Sequence, residues 1–225
     1  METVEIIALT MGVAWASGIN LYAAMFMLGW MGSTGDINLP ADMEILSNPL
    51  VMTAAGFMYC VEFFADKIPG VDTGWDAIHT FIRIPAGAML AAAAVGDVTP
   101  AIELSAFILG GTLATGSHLA KSGSRVMINA SPEPFTNWTA SVAEDAAVIG
   151  GLWVALNHPW LFIAALVVFI LLIAWFLPKL WRTLKRLFRW LGRKLGMIDE
   201  PPATINTTIP TTDKSTAEKI SPPSS

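Results

Sequence analysis

Two segments of the chain carry ionisable residues at a spacing that places them on one face of a helix. In each segment three such residues stand at positions i, i+3 and i+7, namely Asp76, His79 and Arg83 in the first and His118, Lys121 and Arg125 in the second. Residues at these spacings are neighbours along a helix. Each triplet predicts a polar stripe with a histidine, the side chain that titrates nearest to neutral pH.

Further acidic and amide side chains extend both stripes. Glu62 and Asp66 are four residues apart, and Asn137 and Glu144 share a helix face, with Asp145 next in sequence. Glu144 and Asp145 lie about ten residues into an apolar stretch, which is roughly 15 Å of helix at 1.5 Å per residue. An ionised side chain at that depth in a membrane costs at least ~2.5 kcal/mol on insertion scales. We therefore expect these acids to be paired, protonated or hydrated.

The polar residues allow two interpretations. In the first, the acids form structural ion pairs between helices with Arg83, Lys121 and Arg125, and Glu144 is tested as a partner of Arg83 or Lys121. In the second, the residues line a water-filled cavity for a substrate or ion, with Glu144 as a proton carrier. For the cavity we assign one wall to Glu62, Asp66, Asp76, His79 and Arg83, the opposing wall to His118, Lys121, Arg125 and Glu144, and further pathway positions to Asn137 and Asp145. No HxxxH or ExxH spacing links these residues, so we predict no metal and no cofactor.

The elements that must position these residues are membrane-spanning helices. The chain is 54% hydrophobic and 14% charged, with a mean hydropathy of +0.57, which is too apolar for an ordinary soluble domain. We predict an all-α integral membrane protein whose transmembrane domain covers residues 1–178. Its six predicted spans are 4–30, 49–66, 76–96, 100–122, 136–157 and 160–178, each close to the length needed to cross a bilayer.

Lysine and arginine predict the orientation of these spans. The loops at 31–48, 96–100 and 157–160 contain neither residue, whereas Lys67, Lys121 and Arg125 lie at the alternate loops or near them. Nine more basic residues follow the last span. Cytoplasmic loops are enriched in lysine and arginine, so both termini are expected in the cytoplasm.

The residues after the last span divide into a basic helix and a tail. Leucines alternate with basic residues over 179–197, which predicts an amphipathic helix on the inner leaflet. Its predicted ligands are anionic lipid headgroups, and the residues assigned to them are Arg182, Lys185, Arg186, Arg189, Arg193 and Lys194. Direct attachment to a span disfavours nucleic acid as a partner. Residues 198–225 are rich in Pro, Ser and Thr and predict a disordered cytoplasmic tail.

A weak internal repeat connects the two halves of the membrane domain. The sequences GVAWASGINL (12–21) and GGTLATGSHL (110–119) share the pattern G-x-x-x-A-[ST]-G-x-[NH]-L at an offset of 98 residues. Three spans in each half would make the halves inverted in topology, a plan common among secondary transporters. The glycines also permit close helix contact, so for Gly18 and Gly116 packing and site lining both stay open.

Two long motifs resemble a known family. They read VEFFADKIPGVDTGWDAIHTFIRIPAGAMLAAAA and HLAKSGSRVMINASPEPFTNWTASVAEDAAV. Over about 12–178 the chain resembles the bacterial membrane-protein family catalogued as domain of unknown function 4126. The resemblance implies a multi-pass protein of the bacterial inner membrane, without an activity. Many relatives are expected to read RP after the first-span glycine, where this chain reads GINLY from Gly18.

Together these features predict a protein that binds or transports a small solute or ion, with protons as a candidate coupling ion. Two other classes stay open at this point, an intramembrane enzyme acting on lipid or peptide and a scaffold that transports nothing. Beyond the bilayer and its headgroups, the expected partner is that unidentified solute or ion. Assembly into a homo-oligomer also stays open.

The orientation can be tested by cysteine labelling. In a Cys60→Ala background, Ser33→Cys should react with an impermeant thiol reagent on intact cells, because the 31–48 loop is predicted to lie outside. Ser131→Cys should stay unlabelled until the cells are permeabilised. The opposite labelling pattern would invert the predicted topology.

Overall fold

The structure is a computed structural model that describes residues 2–68, 70–129 and 134–194. In the last helix several side chains are not described, including those of Arg193 and Lys194. The predicted tail at 198–225 also lies outside the described residues. From Thr3 to Leu180 the helices form one compact unit, and a second unit begins at Trp181.

All regular secondary structure in the described ranges is helical, which confirms the predicted all-α class. The helices are α1 (Thr3–Thr34), a 3₁₀ helix (Ala41–Ser47), α2 (Pro49–Ala65), α3 (Val71–Ala94), α4 (Pro100–Asn129), α5 (Pro134–Asn157) and α6 (Pro159–Lys194). Four of these helices begin with proline. Proline suits the first position of a helix, because an N–H at that position would have no partner within the helix. Gly70 precedes α3 with a φ of 86°, a conformation that glycine adopts without strain.

Many large apolar side chains are exposed and many interior side chains are small or polar, which is the reverse of a water-soluble protein. The largest exposed side chains are apolar, such as Phe81, Leu50 and Phe57 at 83%, 81% and 67% exposure. The interior contains many alanines together with charged and amide side chains. Lipid tails accept large apolar residues, and small residues let helices approach closely. The distribution therefore supports a membrane environment.

Four helices are long and apolar enough to cross a membrane, namely Thr3–Thr34, Val71–Ala94, Phe135–Asn157 and Pro159–Phe176. The apolar helix Pro49–Ala65 has 17 residues and falls short of that length. Helix α4 carries His118, Lys121 and Arg125, which lower its mean hydropathy, although all three are buried. All six predicted segments are thus helical, while crossing by α2 and α4 stays a prediction.

Helix α1 is the central element, because it packs against α2, α3, α4 and α5. Its contact with α4 depends on Gly18, where an added Cβ would overlap the Ser117 hydroxyl and the Ala114 carbonyl. An added Cβ at Gly116, the counterpart of Gly18 in the sequence repeat, would meet no atom within 4 Å. Gly18 is therefore a packing residue, and its role is not shared by Gly116.

This difference predicts opposite outcomes for two alanine substitutions. Gly18→Ala should destabilise the protein by about 1–3 kcal/mol, because α1 and α4 must separate to admit the methyl group. Gly116→Ala has room and should stay within ~1 kcal/mol of the wild type, with helix propensity favouring alanine. Thermal unfolding in detergent measures both. Equal melting temperatures for the two variants would contradict the packing role of Gly18.

Candidate functional site

Helix α1 is interrupted at Asn20, where φ is −145° and ψ is 93°. The Asn20 side chain acts as an N-cap for the second half of the helix, since its Oδ1 accepts a hydrogen bond from the Ala23 N–H at 3.0 Å. The Ile19 carbonyl turns to another partner and accepts a hydrogen bond from Lys121 Nζ at 3.0 Å. An interrupted helix is tolerated at membrane depth only where protein groups satisfy the backbone in this way.

Arg83 of α3 is fully buried between two carboxylates. Its Nη2 donates to Glu62 Oε1 of α2 at 2.6 Å, and its Nη1 donates to Asp76 Oδ1 of α3 at 2.8 Å. Asp76 and Arg83 belong to the same predicted helix face, so the i, i+7 spacing yields a direct contact here. The bond from Arg83 to Glu62 connects α3 to the end of α2.

Lys121 of α4 uses all three of its N–H donors. Besides the Ile19 carbonyl, its Nζ donates to Glu62 Oε1 at 3.1 Å and to Asp66 Oδ2 at 2.8 Å. An ammonium has three donors and no acceptor, so its hydrogen-bonding capacity is filled. Lys121 therefore links α4, the interruption in α1 and the end of α2 at a single atom.

Arg125, one turn further along α4, binds Glu144 of α5 in a bidentate arrangement. Its Nη2 and Nε donate to Glu144 Oε2 and Oε1 at 2.6 and 3.1 Å. Its Nη1 donates to the Asp66 carbonyl at 2.9 Å and to Asn137 Oδ1. Paired N–H···O bonds of this type are among the stronger polar contacts in proteins. Arg125 thus connects α4 to α5 and to the residues that follow α2.

Asp72 is a site residue that the sequence analysis did not assign. It is fully buried, and both of its carboxylate oxygens accept from Asn129 Nδ2 at 2.8 Å. The Gly70 N–H donates to Asp72 Oδ1 at 2.9 Å, and Arg125 Nη1 lies 4.0 Å from Oδ2. Asp72 stands close to the glycine turn, between the predicted spans 49–66 and 76–96. The signal that could have identified it is the presence of Asn129 in the second family motif.

The two histidines lie in different surroundings. His118 Nδ1 is 3.5 Å from the Nη1 donor of Arg83, and its Nε2 is 2.7 Å from Thr80 Oγ1, whose hydroxyl donates to a backbone carbonyl. Because a guanidinium only donates, this arrangement fits a neutral His118 protonated at Nε2. His79 stacks on Trp75 at 4.2 Å and contacts the Tyr22 hydroxyl, so it borders the ion pairs without joining them.

Asp145 and Lys67 complete the charged groups of the interior. Asp145 Oδ1 accepts from Asn20 Nδ2 at 2.9 Å. Lys67 Nζ donates to the Phe63 carbonyl at 3.0 Å and to Ser141 Oγ at 3.4 Å, and it lies 2.8 Å from the centre of the Phe63 ring. Lys67 is therefore held by neutral groups and an aromatic face.

We refer to these charged residues together as the buried ion cluster. Its members are Glu62, Asp66, Asp72, Asp76, Glu144, Asp145, Lys67, Arg83, Lys121 and Arg125. Within the described parts of the chain it has six carboxyl groups and four cationic groups, so full ionisation would leave two excess negative charges. Four of its carboxylate oxygens are buried without a hydrogen-bond partner, in Glu62, Asp66, Asp76 and Asp145.

The sequence motifs that supply this cluster lie within one recognised family. The family model named "Domain of unknown function (DUF4126)" matches residues 7–179. The chain belongs to the DUF4126 family. No curated protein and no solved structure matches this chain.

The structure of this DUF4126 protein brings the two predicted walls into direct contact. Acids of the first wall bind cations of the second, as in the 2.8 Å pair of Asp66 and Lys121. Of the two partners named for Glu144, Lys121 lies within ion-pair distance and Arg83 forms no ion pair with it, while the closest cation is Arg125. Glu144 binds Arg125 at 2.6 Å and lies 3.7 Å from Lys121, while Arg83 is occupied by two other acids. The reason is the helix register, since Arg125 is one turn closer than Lys121 to the start of α5.

The described residues of the DUF4126 chain do not form a preorganised metal site. They contain no group of three or more His, Cys, Asp or Glu side chains placed to hold a metal ion. Each acid of the cluster other than Asp145 instead faces at least one basic side chain within 4.0 Å.

The bidentate contact predicts strong energetic coupling between Glu144 and Arg125. Unfolding titrations of Glu144→Gln, Arg125→Gln and the double variant should give a coupling energy of about 0.5–3 kcal/mol. Removing one partner leaves the other charge buried, whereas removing both does not. The control is Glu103→Gln, an exposed acid on α4 that should change stability by no more than about 0.5 kcal/mol. Additive effects of the two substitutions would contradict the pairing.

Proposed function

We propose that the protein is a membrane carrier that binds and moves a small solute or ion through the buried ion cluster, coupled to protons. The observation that carries this proposal is the charge balance of the cluster, with six carboxyl groups against four cationic groups. A cluster built only to join helices needs no such excess of acid.

The argument from charge balance is energetic. An ionised carboxylate without a partner is costly in a membrane interior, and such groups pair, take up a proton or bind a cation. The four cations of the cluster can neutralise four of its six acids. The remaining acids require positive charge from outside the chain, and protons or small cations can supply it reversibly. Reversible uptake of this kind is what an ion-coupled carrier needs.

The interruption of α1 gives further support. Discontinuous helices near the bilayer midplane form the binding sites of many secondary transporters, where freed backbone groups meet ions and substrates. In this chain the interruption at Asn20 lies against the cluster, since Lys121 binds the Ile19 carbonyl and Asn20 binds Asp145. The proposal places both groups on the path of the transported species.

The proposal includes six spans, two inverted three-helix halves and both termini in the cytoplasm. It is supported by the contact between the two repeat segments, because Gly18 of the first meets Ala114 and Ser117 of the second. The halves are not identical in detail. The interruption at Asn20 in α1 falls at His118 in α4, which stays helical.

A scaffold is the second candidate, and one observation favours it. Lys121 has all three donors satisfied and is about as buried as any core residue, which is expected of a permanent connection between helices. A scaffold and a carrier differ in whether charge moves. Ion pairs that only hold helices together do not exchange protons or cations when the bathing solution changes.

Charge movement tests the proposed function. Proteoliposomes of the full-length chain on a solid-supported membrane should give transient currents after a pH jump, or after jumps in Na⁺, K⁺ or a panel of small charged solutes. Asp66→Asn alters a cluster acid with little change in shape and should reduce these currents. Glu103→Gln, outside the cluster, should leave them unchanged.

Two results would contradict the carrier. The first is the absence of currents from wild-type proteoliposomes in every jump, with the protein shown to be folded by its melting temperature. The second is currents at the wild-type level in both Asp66→Asn and Asp145→Asn, which would place the charge movement outside the cluster. The first result would leave the scaffold as the better account.

A further inference from the structure

Asp145 differs from the other five acids of the cluster in its lack of a cationic partner. Each of the other five has a lysine or arginine nitrogen within 4.0 Å. Among the described side chains, none of these nitrogens lies within that distance of Asp145. Its one hydrogen bond comes from the neutral amide of Asn20 to Oδ1, at 2.9 Å. Its second oxygen, Oδ2, is buried without a partner, and the residue is only 7% exposed.

Lys67 is the cation of the cluster that has no carboxylate partner among the described residues. The described ion pairs of the cluster use Arg83, Lys121 and Arg125, and none uses Lys67. Its ammonium instead contacts the Phe63 carbonyl, the Phe63 ring and the Ser141 hydroxyl. An aromatic face attracts a cation but replaces a carboxylate only in part.

The unpaired acid and the unpaired cation lie close to one another. Ser141, which holds Lys67 at 3.4 Å, is four residues before Asp145 on α5. Residues at this spacing share a helix face, with about 5–6 Å between their Cβ atoms. The lysine stem has four flexible carbons, and a move of its ammonium from Ser141 to Asp145 would cover about one turn of α5.

We propose that Asp145 is the proton-binding carboxyl of the buried ion cluster and that Lys67 is the cation that replaces the proton. The structure corresponds to the protonated state, in which Oδ2 carries the proton and Lys67 rests on Ser141 and Phe63. When the proton leaves, the ammonium of Lys67 moves onto the carboxylate. Charge is conserved locally, because one positive charge enters as another departs.

The surroundings of Asp145 favour such an exchange. The ionisable groups that interact with it are Tyr59 and Glu62 of α2, Asp66 and Lys67 after α2, and Lys121 of α4. Glu62 and Asp66 already share Lys121 through direct bonds. Lys67 is therefore the cation with capacity to spare, and two neighbouring acids oppose an unpaired negative charge on Asp145. Glu144, by contrast, is fully engaged by Arg125.

This inference deepens the proposed function and rests on it for its biological meaning, but its test is spectroscopic. Infrared difference spectra of the full-length protein in lipid, recorded across a pH series, reveal protonated carboxyl groups by a C=O band that shifts in D₂O. We expect one such band to be lost as pH rises. Asp145→Asn should lack the titrating band, and Glu103→Gln, an exposed acid outside the cluster, should retain it.

Lys67 provides the second arm. In Lys67→Met the replacing cation is gone, so the band should persist to higher pH, by about one to three pH units for a lost opposite charge. Lys67→Arg keeps the charge and should stay close to the wild type. A residue with a merely structural role would not move the titration. Wild-type protein with a ¹³C label in its aspartate carboxyls gives a measurement without substitution, and the titrating band should shift with that label.

Three results would overturn the inference. They are a titrating band that survives Asp145→Asn, a band that shifts with labelled glutamate instead of labelled aspartate, and equal titrations for Lys67→Met and Lys67→Arg. The outcomes separate from those of the current measurements. If the band behaves as expected but the protein gives no currents, Asp145 binds a proton and the carrier proposal is wrong. If currents occur without such a band, the carrier proposal stands and the assignment of Asp145 is wrong.

Discussion

The bond from Lys121 to the Ile19 carbonyl is the contact on which the rest of the interior depends. It exists because α1 is interrupted at Asn20, and it compensates for that interruption. The same ammonium holds Glu62 and Asp66, so one atom joins the central helix to the end of α2. Without this cation, a carbonyl and two acids would lose a donor together, in surroundings where lost polar contacts are costly.

The two arginines extend that arrangement in opposite directions. Arg83 attaches α3 to α2 through Glu62, and Arg125 attaches α4 to α5 through Glu144. Small residues make this possible, because Gly18 lets α1 and α4 approach until their polar groups meet. The ion pairs therefore depend on the close packing of the helices. The apolar side chains that would form the core of a soluble protein face outward, where lipid accommodates them.

Helix positions and eight of the ten cluster members, all except Lys67 and Asp72, could be predicted from the sequence, because apolar length and helical spacing are local properties. The partner of Glu144 could not, since it depends on the register between α4 and α5, which no local pattern encodes. Asp72 was missed for a related reason. Its burial results from Asn129, 57 residues away, folding back onto the start of α3. The interruption at Asn20 could not be predicted either, because an asparagine side chain can form several local hydrogen bonds in or beside a helix. Its role as a cap is evident only from the structure.

The polarity of α4 has a consequence for how the protein is made. This helix is not apolar enough to be a clear span on its own, and its cations are buried against acids from other helices. Glu62, Asp66 and Asp76 precede α4 in the chain and so leave the ribosome first. The counter-charges of Lys121, Glu62 and Asp66, are thus made before α4, whereas Glu144, the bidentate partner of Arg125, follows on α5. If α4 crosses the membrane as proposed, the order of synthesis provides Lys121 with carboxylate partners before it enters lipid.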